Sequence, residues 1–185
     1  MVLSTTETRE RYRRLFADHH RAIYAYFRRR IEVESAQDCT AETFLIAWRR
    51  IDDVPDGGEL RWLYITARNV LRNAYRSKRR SFTVPGIDRD VADCGETPEV
   101  VLLRHEEEAA VRAALEHLRP DDREVLLLSV WEELPRDDIA AILGCSPHAV
   151  SQRLHRASGR LAKELDRVTT TPINRVVPTR VEELP

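Results

Sequence analysis

Residues 135–161 read PRDDIAAILGCSPHAVSQRLHRASGRL, a stretch with the spacing of a helix–turn–helix. Ala140 supplies the small side chain that the first helix needs where the second helix crosses it closely. Gly144 supplies a turn residue that tolerates positive φ. Ser146 is a candidate N-cap, and Pro147 suits the first turn of the second helix, where a missing N–H costs nothing. The stretch therefore predicts two helices joined by a tight turn.

The second of these helices has one apolar face and one basic face. Its apolar positions recur at helical spacing: Val150, Leu154, Ala157 and Leu161. Glutamine can pair bidentately with adenine, and arginine with guanine or phosphate, in the major groove. We expect the basic face to bind DNA, although an ordinary helical hairpin with a solvated basic face would show similar residues. The candidate DNA-binding residues are His148, Ser151, Gln152, Arg153, His155, Arg156 and Arg160.

Two further helices stand out in residues 8–80, which read as helical almost throughout. One is predicted over residues 35–51, with Ser35 as its N-cap and Asp38 three residues later. Its apolar face consists of Phe44, Ala47, Trp48 and Ile51. The preceding helix has a similar apolar face that includes Phe16. An exposed leucine among charges on the opposite face indicates a protein partner, although single surface leucines are routine. That face holds Asp38, Glu42, Leu45 and Arg49.

The other helix is predicted over residues 59–80 and carries a stripe of arginines opposite its apolar face. Arginines give affinity for a phosphate backbone through counterion release. Aromatic and amide side chains beside them suit unstacked single-stranded bases. A solvated basic helix whose aromatic residues belong to the core is the alternative. The candidate residues are Arg61, Trp62, Arg68, Asn69, Arg72, Asn73, Arg76 and Arg79.

Charge is segregated along the 185-residue chain, although its formal net charge is only −1. Residues 1–82 hold 17 Lys and Arg against 11 Asp and Glu, whereas residues 83–110 hold 2 against 8. A basic segment in a neutral chain is expected of a phosphate-binding surface. We predict two all-α bundles, residues 8–82 and 111–168. An acidic, flexible linker at 83–110 runs into the second bundle, and a loosely ordered tail follows at 169–185.

The sequence argues against several other classes of protein. No apolar run approaches the roughly 18 residues of a membrane span, so we expect a cytoplasmic protein without membrane insertion. The three cysteines are scattered, which suits a reducing compartment. The histidines show no metal-ligand spacing, and we see no nucleophile motif or phosphate-binding glycine loop. We therefore expect that the protein is not an enzyme and that it binds no cofactor or metal. A helical metal-dependent hydrolase and a structural adaptor are the alternatives.

Together, these stretches resemble the extracytoplasmic-function sigma factors, the smallest branch of the main bacterial sigma family. Residues 38–49, DCTAETFLIAWR, are similar to the family's polymerase-docking helix. Residues 61–80, RWLYITARNVLRNAYRSKRR, are similar to the segment that melts and reads the minus-10 element. Residues 118–157 resemble the domain that reads the minus-35 element. The departures from the family pattern are Ala41 for Gln, Thr66 for Ile, Gln152 for Ser and Ser158 for Arg.

The resemblance implies a DNA-reading subunit that directs RNA polymerase to promoters. The outward face of the docking helix would contact the clamp helices of the polymerase's largest subunit. Trp62, Asn69 and Asn73 would lie near an extruded minus-10 base, and Arg153 and Arg156 would contact the minus-35 duplex. Core RNA polymerase and promoter DNA are the implied partners, and an anti-sigma factor is a further one. A free-standing helix–turn–helix repressor would explain only the C-terminal part of the chain.

Overall fold

The structure is a computed structural model that describes residues 5–77 and 108–170, and these residues form helices with no β-strand among them. The all-α expectation is therefore confirmed for this part of the chain. A 3-10 turn at Ile51–Asp53 precedes the third helix, and a π-helical turn at Leu127–Trp131 extends the fifth. The helices are α1 (Thr5–Arg28), α2 (Val33–Arg49), α3 (Glu59–Ser77), α4 (108–116 in its described part), α5 (Pro120–Leu126), α6 (Arg136–Leu143) and α7 (Pro147–Thr170).

Helices α1, α2 and α3 pack against one another and form the first bundle. Its core contains the large apolar side chains that the helical periodicity predicts. Ile23, Phe27, Phe44 and Leu63 are almost fully buried. The loop before α3 turns at Gly57, whose φ of 74° lies in the left-handed region that favours glycine. This loop sets the direction in which the basic helix leaves the bundle.

The predicted N-cap at Ser35 is wrong, because α2 begins two residues earlier at Val33. Glu32 holds the N-cap position with extended backbone, φ −62° and ψ 158°, and its side chain makes no capping hydrogen bond. Ile31 is buried immediately before it. Its burial fixes where the chain turns from α1 into α2, so tertiary packing here overrides the local capping preference.

The helix–turn–helix is confirmed in α6 and α7. Gly144 has φ 68° and ψ 41°, and the Cys145 N–H donates to the Ala140 carbonyl at 3.0 Å, as in a Schellman motif. The Ser146 hydroxyl oxygen accepts the Ala149 N–H at 3.2 Å, which is the expected N-cap bond. Helix α7 begins at Pro147, as predicted. These local bonds fix the angle at which α7 leaves the turn.

Helices α5 and α6 pack against α7 and, with α4, form the second bundle, in which Val150 and Ala157 are fully buried. The two bundles touch, because α6 packs against α3. Of the cysteines in the described residues, Cys39 is buried and Cys145 is half-buried. Most of the predicted linker and tail, together with Arg79 and Cys94, lies outside the described residues.

Candidate nucleic-acid interface

The outward face of α7 presents most of its predicted DNA-binding residues to solvent. The side chains of His148, Gln152, His155 and Arg156 are exposed. Gln152 Nε2 lies 2.9 Å from His148 Nε2, and Arg156 Nε donates to the Gln152 carbonyl at 3.3 Å. Arg153 is half-buried on the flank of this face. A polar, exposed face of one helix is the geometry that major-groove contact requires.

Two of the predicted α7 residues already make hydrogen bonds within the protein. Arg160 Nη1 donates to the Asp122 carboxylate, and this ion pair holds α7 against α5. The Ser151 hydroxyl donates to the Pro147 carbonyl at 3.2 Å. Because Asp122 is buried, loss of Arg160 would leave a buried carboxylate without this partner. Arg160 thus positions the helix, whatever further contact it makes with DNA.

The arginine stripe of α3 is largely exposed, and some of its residues also contact or face the second bundle. Asn69, Arg72, Asn73 and Arg76 are exposed. Arg61 Nη1 donates to Asp138 Oδ1 of α6 at 3.2 Å. Arg68 and Arg72 line a cavity of about 400 Å³ between the bundles. Trp62 is half-buried, and the Arg50 guanidinium carbon lies 6.0 Å from the centre of its ring.

The predicted docking face of α2 is exposed as expected, at Asp38, Glu42, Leu45 and Arg49. Leu45 keeps 46% of its accessible surface. Phe16 and Trp48, which the periodicity assigns to apolar faces, are each 40% exposed. Their rings lie at the edge of the α1–α2 contact. The ring centres of Tyr12 and Trp48 are 5.1 Å apart, and those of Phe16 and Phe44 are 4.8 Å apart. One side of each ring therefore stays in solvent, which widens the apolar part of this face.

A buried ion cluster joins the bundles, and sequence reasoning missed it. Arg30, whose side chain is 4% exposed, donates from Nε to Glu124 Oε2 at 2.8 Å and from Nη1 to Glu132 Oε1 at 3.1 Å. Arg29 Nη1 donates to Glu132 Oε2 at 2.9 Å. We call Arg29, Arg30, Glu124 and Glu132 the ion cluster. Its one sequence signal is the run of three arginines that begins at the last residue of α1.

Tyrosines and carboxylates complete the electrostatics of the ion cluster. The Tyr26 and Tyr64 hydroxyls donate to Glu124 and Glu132, each at 3.3 Å. Burial, and then the Glu124 carboxylate, raise the pKa of Tyr26 well above its ordinary value. Burial alone would lower the pKa of Arg30, but Glu124 and the other neighbouring groups outweigh it and raise the pKa. Arg30 is therefore charged at every physiological pH.

The described residues offer neither a metal centre nor a membrane span. Within residues 5–77 and 108–170, no group of three or more His, Cys, Asp and Glu could hold a metal ion. No helix in those ranges is long and apolar enough to cross a membrane.

Comparison with protein families gives two matches, in the order that the fold presents them. Sigma-70 region 2 matches residues 15–81, and Sigma-70 region 4 matches residues 108–161. The first match covers the bundle with the docking face and the basic helix. The second covers the helix–turn–helix. The chain thus combines a polymerase- and promoter-binding region 2 with a promoter-binding region 4.

Curated relatives and a solved structure narrow the family further. The ECF RNA polymerase sigma factor EcfG of Rhodopseudomonas palustris is 34% identical over 132 residues, which are 70% of each chain. The probable RNA polymerase sigma factor RfaY of Xanthomonas campestris is also 34% identical, over 72% of this chain but 35% of its own length. The structure of CnrH with the cytosolic domain of CnrY, whose sigma factor comes from Cupriavidus metallidurans, matches with a TM-score of 0.61. It is 27% identical and covers 84% of this chain and 88% of that one.

The chain belongs to the extracytoplasmic-function family of RNA polymerase sigma factors, which are transcription initiation factors. It binds core RNA polymerase and recognises promoter elements through its two regions.

Proposed function

We propose that each of the three surfaces described above has one task in transcription initiation. The exposed face of α2 docks on polymerase, the arginine stripe of α3 binds the minus-10 element, and the outward face of α7 binds the minus-35 element. The observation that carries the proposal is that three chemically different faces, each exposed at least in part, occur in one chain. In the predicted division into residues 8–82, 83–110, 111–168 and 169–185, the first unit holds the α2 and α3 surfaces and the third holds the α7 surface.

At the minus-10 element, we assign backbone contacts to arginines and base contacts to aromatic and amide side chains. Arginine is suited to phosphate because its planar fork donates in a fixed geometry. Trp62, Asn69 and Asn73 lie on the same helix and offer a stacking ring and two amides for an unstacked base. The arginines assigned to the backbone are Arg61, Arg68, Arg72, Arg76 and Arg79, of which the last lies outside the described residues.

At the minus-35 element, Arg153 and Arg156 are the principal contacts, with Gln152 beside them. Their helix is fixed at its start by the Ser146 cap, so the side chains extend from a rigid support. Each neutralised phosphate makes binding more salt-dependent, whereas a bidentate contact to guanine contributes about 1–3 kcal/mol of sequence discrimination. His148, Ser151, His155 and Arg160 flank this group.

At the docking face, the partner surface should combine cationic or polar groups with apolar ones. Asp38 and Glu42 supply negative charge, Leu45 supplies an exposed apolar side chain, and Arg49 ends the face. We add Trp48 and Phe16 to it, because their exposed rings continue the apolar patch. Exposed aromatic residues are common anchors of protein interfaces.

The chain acts by binding and catalyses no reaction of its own, and it works in the cytoplasm beside the polymerase. The family assignment supports both statements, since its members are transcription initiation factors. The relative CnrH has been solved in complex with the cytosolic domain of CnrY. An anti-sigma factor is accordingly a proposed partner here too.

Run-off transcription with purified core polymerase on a genomic promoter library tests the proposal. We expect discrete starts that require this protein and disappear when Arg153 and Arg156 are both replaced by alanine. The matched control replaces Arg13 and Arg167 by alanine, which removes two exposed positive charges that pair with Glu10 and Glu164 three residues away on their own helices. The assignment of Arg153 and Arg156 to the minus-35 element would be contradicted if the starts persist when both are replaced. It would also be contradicted if the control variant loses the starts to the same extent.

Docking is tested separately by co-purification with core polymerase. Leu45→Asp should lower the retained protein at least tenfold, because it places a carboxylate in the apolar part of the contact. Val33→Asp is the control, since Val33 is an equally exposed apolar residue on α2, about 120° around the helix. Equal retention of both variants would remove α2 from the docking surface.

A further inference from the structure

A cavity of about 400 Å³ lies beside the ion cluster, with walls from both bundles. Helices α1 and α3 form one side of it, and α5 with the start of the π-helical turn forms the other. Pockets that hold small ligands measure about 300–1,000 Å³, so the cavity is large enough for one. Its arginines are Arg29 and Arg30, which follow α1, Arg68 and Arg72 of α3, and Arg123 of α5.

The wall of the cavity carries an excess of positive charge. Its five arginines face two carboxylates, Asp121 and Glu124. The two arginines of the ion cluster are already paired with its glutamates. Arg68, Arg72 and Arg123 make no ion pair with any residue that the structure describes, and the exposed Asp121 offsets one of these charges at most. Cationic groups gathered around one concave site raise the local concentration of anions.

The wall also contains a hydrogen-bond donor that the protein leaves unused. Arg29 Nε is buried and has no hydrogen-bond partner among the described residues, although Arg29 Nη1 donates to Glu132. Buried polar groups in proteins are nearly always hydrogen-bonded. An unused donor on a residue that lines a cavity therefore indicates a ligand with acceptor oxygens.

The rest of the wall is apolar and aromatic. Leu71 and Tyr75 lie one turn apart on α3, so their side chains share a face, and Leu127 comes from the second bundle. Leu71 and Leu127 are buried, and Tyr75 is half-buried. Leucine and tyrosine side chains provide an apolar surface on which a flat ring packs. The cavity thus offers one ligand two environments, a cationic one and an apolar one.

The charge and the apolar wall together narrow the class of ligand. A single carboxylate would neutralise only one of the three arginines that make no ion pair, and it would leave the apolar wall uncovered. Linked phosphates carry several charges on closely spaced oxygens, and the planar fork of arginine donates to phosphate in bidentate geometry. A heterocyclic base attached to such phosphates would cover the apolar wall.

We propose that this cavity is a binding site for a nucleoside polyphosphate. Arg68, Arg72 and Arg123 hold the phosphates, and the base packs against Tyr75 and the two leucines. The site goes beyond the tasks assigned to the three surfaces and depends on no DNA contact. Nucleoside triphosphates are the substrates of RNA polymerase, so ligands of this class are present wherever the protein meets its partner.

Two pairs of matched variants test the site. Arg72→Gln removes a cavity arginine of α3, and its control Arg76→Gln removes an exposed arginine one turn further along the same stripe, outside the cavity. Arg123→Gln removes the cavity arginine of α5. Its control is Arg119→Gln, because Arg119 is exposed, lies outside the cavity and makes no side-chain capping bond at the start of α5. Far-UV circular dichroism confirms that each variant is folded.

Isothermal titration calorimetry with ATP measures binding to the full chain, without magnesium so that the phosphates keep their full charge. We expect one ATP per chain. Arg72→Gln and Arg123→Gln should each weaken binding about tenfold or more, since each removes a hydrogen bond to a charged group, and the two controls should bind like the wild type. No binding by the wild type, or no effect of Arg123→Gln, would overturn the site. Equal weakening by Arg72→Gln and Arg76→Gln would also overturn it, because ATP would then be held by the exposed stripe.

Pyrophosphate and adenosine, titrated separately, test the two halves of the ligand. Pyrophosphate should bind more weakly than ATP and lose affinity in the same two variants, and adenosine alone should give no measurable heat of binding. Pyrophosphate that binds as tightly as ATP would overturn the assignment of the base to the apolar wall. Photo-crosslinking with 8-azido-ATP, followed by mass spectrometry, should label peptides that contain residues 71–75 or 120–127. Label confined to other peptides would refute the proposed location.

Discussion

Two glycines in the second bundle should respond in opposite directions to the same substitution. Gly144 has φ 68°, whereas Gly159 lies inside α7 with ordinary helical backbone. A methyl group added at either position would meet no atom within 4 Å. Steric clash is therefore removed from the comparison, and only the backbone conformation differs between the two sites.

The expected magnitudes follow from that difference. Alanine at Gly144 costs about 1–2 kcal/mol for the left-handed conformation, offset in part by about 0.4–1 kcal/mol from the stiffer unfolded chain. Gly144→Ala should thus destabilise the protein by about 1 kcal/mol. Gly159→Ala should stabilise it by about 0.5–1 kcal/mol, because alanine is the better helix former. The two variants should differ by nearly 2 kcal/mol.

Urea unfolding followed by far-UV circular dichroism measures this difference on the full chain. The slope of the free energy of unfolding against urea should be the same for both variants, with the midpoints displaced to opposite sides of the wild type. Displacement of both midpoints in the same direction would refute the argument. It would mean that packing around the turn, rather than backbone conformation, sets the energy of the helix–turn–helix.

Three further outcomes are expected. The backbone N–H groups of Glu59 itself and Gly57 lower the pKa of the Glu59 carboxyl below its ordinary value of 4.5. Its contribution to stability is therefore complete above pH 4.5 and lost as pH falls through the lowered pKa. Glu59→Gln should lower the free energy of unfolding by about 0.5 kcal/mol at pH 7, the usual contribution of a carboxylate at a helix N-terminus. In thermal melts recorded over a series of pH values, the difference between variant and wild type should vanish at the acid end. Arg156→Ala should weaken binding to the minus-35 duplex by about 1–3 kcal/mol and relax the base preference, as expected for an arginine that contacts guanine. An equal loss of affinity for all sequences, with the slope of log K against log salt smaller by about 1, would assign Arg156 to a phosphate contact instead. Trp62→Ala should slow promoter opening, measured by permanganate reactivity of minus-10 thymines, while polymerase co-purification stays at the wild-type level.

Local sequence determines the helices and the helix–turn–helix of this protein. The turn at Gly144, the cap at Ser146 and the helix start at Pro147 depend on bonds that span at most five residues. The faces of α2, α3 and α7 follow from the 3.6-residue period, so their exposed candidate residues could be predicted. The roles of the individual residues on those faces stay predictions. They were assigned from the resemblance to the sigma family.

Where the sequence misled, the deciding interaction lay outside the segment concerned. Ser35 has the chemistry of an N-cap, but the burial of Ile31 starts α2 earlier. Phe16 and Trp48 have core chemistry, but each lies at the edge of the α1–α2 contact and stays 40% exposed. Periodicity gives the direction of a side chain from its own helix, and it does not give the width of the neighbouring helix that covers it.

The sequence by itself determined an all-α chain with a basic helix, an acidic and apolar docking face and a recognition helix, because each depends on residues within a few turns of one another. Only the tertiary structure decided which charges pair between the bundles. Arg30 meets Glu124 and Glu132 across 94 and 102 residues, and no local pattern selects these two among the chain's 31 acidic residues. Their pairing depends on how α1 lies against the second bundle, since buried charges are tolerated only where partners of opposite sign arrive together.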